Sequence, residues 1–172
     1  QWVPYRDRLY WLQADGIMLS NTWFEQDENR YLLTDNGAMA QSEWAKKDGL
    51  WYYFDEKGHI SDDKDEISGN FKSKGKDLVY IGPREQLVNN WYEEYYINED
   101  NTVLTNQWIQ EGDDWYYAGT NGKRLRGQWN EVDGLWYYMN LDGKMEKHAV
   151  VWEGNWYYMD RNGACYNTGF VR

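Results

Sequence analysis

The chain has 172 residues, with 18 Lys and Arg against 29 Asp and Glu, giving a formal net charge of -11 and a pI near 4.6. That balance repels a phosphate backbone, so no nucleic-acid partner is expected, and no apolar run reaches the ~20 residues of a membrane span. One cysteine, Cys165, excludes an intramolecular disulfide framework and any multi-cysteine zinc site. Mean hydropathy is -0.99, yet 19% of the residues are aromatic. Disordered chains are poor in aromatics because they bury little. Here Trp and Tyr replace aliphatic residues as the apolar surface, each carrying one polar handle.

A repeat of about 21 residues runs through the chain. Trp2, Trp23 and Trp44 open three copies. Seven residues after each lies an aromatic slot: Leu9-Tyr10-Trp11, Arg30-Tyr31-Leu32 and Trp51-Tyr52-Tyr53. Fourteen residues after each anchor lies a glycine: Gly16, Gly37 and Gly58. These copies make an N-terminal block, residues 1–64. The stretch 65–86 is irregular. Phe71 and Leu78-Val79-Tyr80 keep the spacing, but no glycine follows at the expected place. It reads as a degenerate copy, with a linker between two blocks as the alternative.

The C-terminal block, residues 87–172, holds four copies. Leu87 opens the first, with Glu94-Tyr95-Tyr96 in the slot and Asn101 at the glycine position; Asn is the next most tolerant residue for positive φ. Trp108 and Trp129 open the next two, with Trp115-Tyr116-Tyr117 and Gly122, then Trp136-Tyr137-Tyr138 and Gly143. Ala149 opens the last, with Trp156-Tyr157-Tyr158 and Gly163; Phe170 begins a truncated further copy.

Each copy predicts a β-hairpin. Asp48-Gly49 and Asp133-Gly134 are strong signals for a two-residue type I′ turn, which needs positive φ at both positions. Aromatic-rich flanks favour strands, and no segment sustains a helical apolar pattern. Alternation puts the first and third slot residues on one face and the middle one on the other. An isolated hairpin is marginal in water, so copies must stack. The expected fold is all-β, a solenoid of stacked hairpins without a central core.

The pattern Trp-x6-Trp-Tyr-Tyr followed by Gly is clearest at Gln107–Gly127 and Gln128–Glu146. It resembles the choline-binding repeats of pneumococcal and phage cell-wall proteins. Glucan-binding repeats of streptococcal glucosyltransferases and clostridial toxin repeats look similar. The resemblance implies a left-handed β-superhelix, with choline held between consecutive repeats by two Trp, one Tyr and often a Met. It implies phosphocholine of teichoic or lipoteichoic acid as ligand, and a secreted protein held non-covalently at the bacterial cell surface. No enzyme activity and no cofactor are expected.

Carried onto this chain, the resemblance assigns Trp108, Trp115 and Tyr138 to one cage, and Trp129, Trp136 and Tyr158 to a second. Met145 closes a cage wall, and Trp44 with Trp51 makes a partial third. The alternative pairing is Trp115, Trp129 and Tyr138. Arg30 stands where the family has Trp and should repel choline. Leu9 and Leu32 remove rings, and Glu94 replaces one while offering an attractive carboxylate. Ala149 removes an anchor Trp, for which Trp152 can substitute. The middle slot residues Tyr52, Tyr116, Tyr137 and Tyr157 read as structural. His59 and His148 lack partners for a metal site. A glucan-binding domain is the alternative ligand class. The degenerate N-terminal block is a candidate surface for another protein.

Overall fold

The computed structural model describes residues 1–61, 70–82 and 87–166. Pro83, the acidic run 62–66 and the truncated copy begun at Phe170 lie outside the described residues. Among the described residues there are strands and turns but no helix. Sixteen strands there form eight separate antiparallel hairpins, each a two-stranded sheet. The expected all-β repeat of hairpins is what the chain builds.

The chain divides into two compact units. The first comprises Gln1–Val88 and Asn98–Thr102. It holds the hairpins β1 (Trp2–Tyr5) with β2 (Arg8–Trp11), β3 (Thr22–Gln26) with β4 (Asn29–Leu33), β5 (Glu43–Lys47) with β6 (Leu50–Phe54), and β7 (Phe71–Lys74) with β8 (Asp77–Tyr80). The second comprises Asn89–Ile97 and Val103–Arg172. It holds β9 (Asn90–Tyr92) with β10 (Tyr95–Ile97), β11 (Gln107–Glu111) with β12 (Asp114–Ala118), β13 (Gln128–Val132) with β14 (Leu135–Met139), and β15 (Val150–Trp152) with β16 (Asn155–Tyr157).

The turns follow from local chemistry. Asp48 and Gly49 have φ of 53° and 84°, and Asp133 and Gly134 have 52° and 79°, as a type I′ turn requires. After the second strand the chain folds back through a side-chain-capped turn. Asn140 Oδ1 accepts hydrogen bonds from the Asp142 and Lys144 amides, both at 3.0 Å. Asp160 Oδ1 does the same for Asn162 and Ala164 at 2.8 and 2.9 Å. Glycine suits this turn for two reasons. Gly163 has φ +83°, and a Cβ there would sit 2.5 Å from Met145 Cε, which would have to swing aside. Gly163→Ala should therefore lower stability by about 1–2 kcal/mol, most of it left-handed backbone strain. Thermal unfolding checks this, and an unchanged midpoint would contradict it.

The irregular stretch contains the β7–β8 hairpin, with Phe71 opposite Tyr80. The copy opened in sequence by Leu87 is shortened. Trp91 faces Tyr96 across β9 and β10, as Trp108 faces Tyr117 across β11 and β12. The turn between β9 and β10 begins at Glu93, with φ 53°, so Trp91 supplies the ring opposite the slot.

Packing between successive hairpins makes the core in each unit. In the first, Leu32, Ala40 and Phe54 are buried together, covered by Trp23, Tyr52 and Ile60. In the second, Ile109, Tyr116 and Ala118 pack with Trp91, Tyr96 and Leu104. These small clusters explain the low mean hydropathy: apolar groups sit between neighbouring hairpins rather than in one interior.

Candidate functional site

Hairpin register gives every copy two unlike faces. In the β11–β12 hairpin Trp108 lies opposite Tyr117 and Gln110 opposite Trp115, so alternation puts these four on one face. Ile109 and Tyr116 occupy the other. The first face meets the following hairpin; the second meets the preceding one. Thus Trp108 lies edge-on to Tyr137 of the next copy, ring centroids 4.8 Å apart at 74°. Trp23 meets Tyr52 at 4.9 Å, Trp2 meets Tyr31 at 5.4 Å, and Trp129 meets Tyr157 at 5.0 Å. The partner of each of these anchors is the middle slot Tyr of the next copy.

This arrangement builds an open aromatic concavity of about 380 Å³ in the second unit, lined by Trp108, Trp115, Tyr137, Met145, Lys147, Arg161 and Asn162. Trp108 and Trp115 stand nearly perpendicular, 84° apart with centroids at 6.3 Å. The Met145 amide donates to the Trp115 carbonyl at 2.7 Å, which fixes the Met beside that Trp. Burial raises the Tyr137 phenol above its ordinary pKa, with Asp160 and Asp133 adding to the effect. Tyr96 is raised as well, by burial and by Glu111.

A phenol whose folded pKa is raised contributes stability that is fully present below the unfolded value near 10. That contribution is lost as pH rises through the folded value. The denaturation midpoint of the protein should fall above about pH 10, and Tyr137→Phe should reduce that fall. An identical alkaline slope in the variant would contradict it.

Of the residues assigned from sequence, the structure brings Trp108, Trp115 and Met145 together. Tyr138 lies on the opposite face of its hairpin from Tyr137, with its ring 5.3 Å from Trp129 and 5.5 Å from Trp152. Trp129 stands with Tyr157, while Tyr158 is 52% exposed and stacks on Trp156 at 6.5 Å. Trp136 is 38% exposed, and its carbonyl accepts from the Cys165 amide at 2.8 Å, so Cys165 holds the place that Met145 holds beside Trp115. Trp44 pairs with Tyr53 of its own hairpin at 5.4 Å. The next copy offers Trp51 no middle slot Tyr, because Val79 fills that position.

Equivalent positions elsewhere carry the chain's own cations. Arg30 Cζ lies 4.0 Å from the Trp23 ring centroid. Lys74 Nζ lies 3.7 Å from that of Trp51, and Lys72 Nζ 4.6 Å from that of Tyr53. Arg124 Cζ lies 4.6 Å from Trp91 and 5.5 Å from Tyr116. The Glu94 carboxylate, an attractive group for an outside cation by sequence, is bound by Arg126 at 2.9 and 3.0 Å. Sequence reasoning misses Tyr137, Lys147 and Arg161 as cavity residues. Tyr137 is out of its reach, since alternation within one hairpin joins Trp108 to Trp115 and Tyr117 and does not say which face of the next hairpin it meets.

Comparison with known proteins places these features in a family. The repeat described as "Putative cell wall binding repeat" matches residues 21–39, 42–60, 106–123, 127–145 and 152–165, together just over half of the chain. No curated protein matches the sequence. The fold is similar to that of the modular autolysin LytC from Streptococcus pneumoniae, with a TM-score of 0.52 and 19% identity over 100% of this chain and 43% of that one. Also matched are the choline-binding domain of CbpL from Streptococcus pneumoniae (TM-score 0.44, 24% identity, 98% of this chain and 97% of that one) and choline binding protein F from Streptococcus pneumoniae (TM-score 0.40, 23% identity, 99% and 52%). The chain spans about half or less of the length of LytC and of choline binding protein F. On the repeats it carries, the chain belongs to the family of cell wall binding repeats.

Proposed function

We propose that the chain is a choline-binding module that attaches to phosphocholine on the teichoic or lipoteichoic acid of a bacterial cell wall. The observation that carries this reading is the concavity of Trp108, Trp115, Tyr137 and Met145, three ring walls and a thioether. Among the described residues no cation of the chain is stacked over either Trp. A quaternary ammonium has no hydrogen to donate. It is held by the negative faces of rings, at ~0.5–1 kcal/mol per exposed contact and about 2 or more when desolvated. Three such walls give modest affinity at one site. Trp129 and Tyr157, with ring centroids 5.0 Å apart, repeat the Trp108–Tyr137 contact one repeat on, and with Trp136 they are assigned as a second site. Two sites on a repeating polymer raise avidity without new contacts.

The first unit plays a different part in this reading. The Trp23 and Trp51 rings there are already covered by Arg30 and Lys74. Choline binding is therefore assigned to the block 87–172. Titration with choline should quench Trp fluorescence at millimolar concentration, and the protein should be retained on a tertiary-amine resin. Binding of dextran in place of choline would favour a glucan-binding module instead.

A further inference from the structure

The Trp108 cavity has the wrong charge for a bare cation. Two of its lining residues, Lys147 and Arg161, are basic, and none is a carboxylate, in a chain with 29 acidic residues. The nearby Asp160 turns its Oδ1 to the backbone, accepting from Asn162 and Ala164. Asp114 is paired with Lys144 at 2.6 Å. Lys147 Nζ donates to the Asp113 carbonyl at 2.8 Å, which holds the ammonium without neutralising it. Neither Lys147 nor Arg161 forms a salt bridge among the described residues. With the Asp133 and Asp160 carboxylates outside the lining, though close enough to act on Tyr137, two basic side chains without a salt bridge beside three rings disfavour an ammonium alone. They suit a ligand that brings its own anion.

We propose that Lys147 and Arg161 form an anion subsite, so that the cavity selects a zwitterion: ammonium on Trp108, Trp115 and Tyr137, phosphate on the two basic side chains. Asn162 adds an amide donor at the same rim. The inference rests on the choline-binding reading and makes the phosphorylated form the preferred ligand. Free phosphocholine carries close to two negative charges at neutral pH, and its phosphate keeps one when esterified to a polymer; in both forms the anionic oxygens match an ammonium and a guanidinium. Lys147 and Arg161 come from the two copies after Trp108, so each repeat junction can differ in this preference while keeping its rings.

Calorimetric titration of the whole chain with choline chloride and with phosphocholine tests this, each at low and at high salt. The expected result is phosphocholine binding about fivefold or more tighter than choline at low salt, with the margin narrowing as salt screens the pair. In Lys147→Ala/Arg161→Ala the margin should disappear while choline affinity holds or rises, because two repelling charges have gone. Lys147 is half-buried and Arg161 exposed, so the fold should tolerate the change. Equal affinities in the unmodified chain, or a margin that survives the double substitution, would overturn the subsite and leave choline binding standing. No binding of either ligand would overturn both.

Discussion

Trp115→Ala should weaken choline binding about tenfold, the cost of one partly desolvated ring contact. The ring forms one wall of the cavity, perpendicular to Trp108, and its backbone carbonyl fixes Met145. The backbone bond survives the substitution, so the loss reports the ring alone. Trp51→Ala is the matched control. That Trp occupies the same place in its own copy, but its face holds Lys74 at 3.7 Å and Val79 takes the middle slot of the next copy. Choline affinity should be unchanged there. Equilibrium titration of both variants separates the two cases. Equal losses would show that slot position, rather than an open cage, governs binding.

A second large effect is expected at Asn101, which is 1% exposed. Its Oδ1 accepts from the Trp51 amide at 2.7 Å, and its Nδ2 donates to the Trp51 and Tyr80 carbonyls at 3.0 and 2.9 Å. It thus ties β6 to β8 within the first unit. Asn101→Ala strands those backbone groups in a buried place, at about 1–3 kcal/mol for an unsatisfied group. Asn101 also has φ 60°, which Asn tolerates better than Ala. A total loss of about 3 kcal/mol is expected, lowering the melting temperature by roughly 6–12 °C. Asn101→Gly would keep the backbone conformation but lose the same hydrogen bonds, and should recover only the smaller part. A fully restored melting temperature in that variant would mean the bonds contribute little.

Asn101 also marks how far sequence reaches. Its tolerance of positive φ is readable from its place in the repeat; its three hydrogen bonds are not, because they join residues 50 and 21 positions away. The turns at Asp48-Gly49 and Asp133-Gly134 are legible because two adjacent residues decide them. Arg6 and Asp7 adopt the same positive φ pair, 46° and 61°, without glycine, and local composition gives no sign of it.

The cage divides in the same way. Trp108 and Trp115 belong to one hairpin, so the repeat places them together and the resemblance assigns them to one site. Tyr137 belongs to the next, and choosing it over Tyr138 requires knowing which face of a hairpin meets which neighbour. The plugging of Trp51 by Lys74 depends on the irregular copy, whose alignment the repeat leaves loose. Placing Arg124 on Trp91 and Tyr116 needs the shortened β9–β10 hairpin, which makes Trp91 the ring opposite Tyr96.

The most direct measurement is the structure of this protein with choline bound. The ammonium should lie within ~6 Å of the Trp108, Trp115 and Tyr137 ring centroids, beside Met145, with no choline on Trp23 or Trp51. Choline on the Trp51 face with Lys74 displaced, or an empty Trp108 cavity at saturating ligand, would contradict the account.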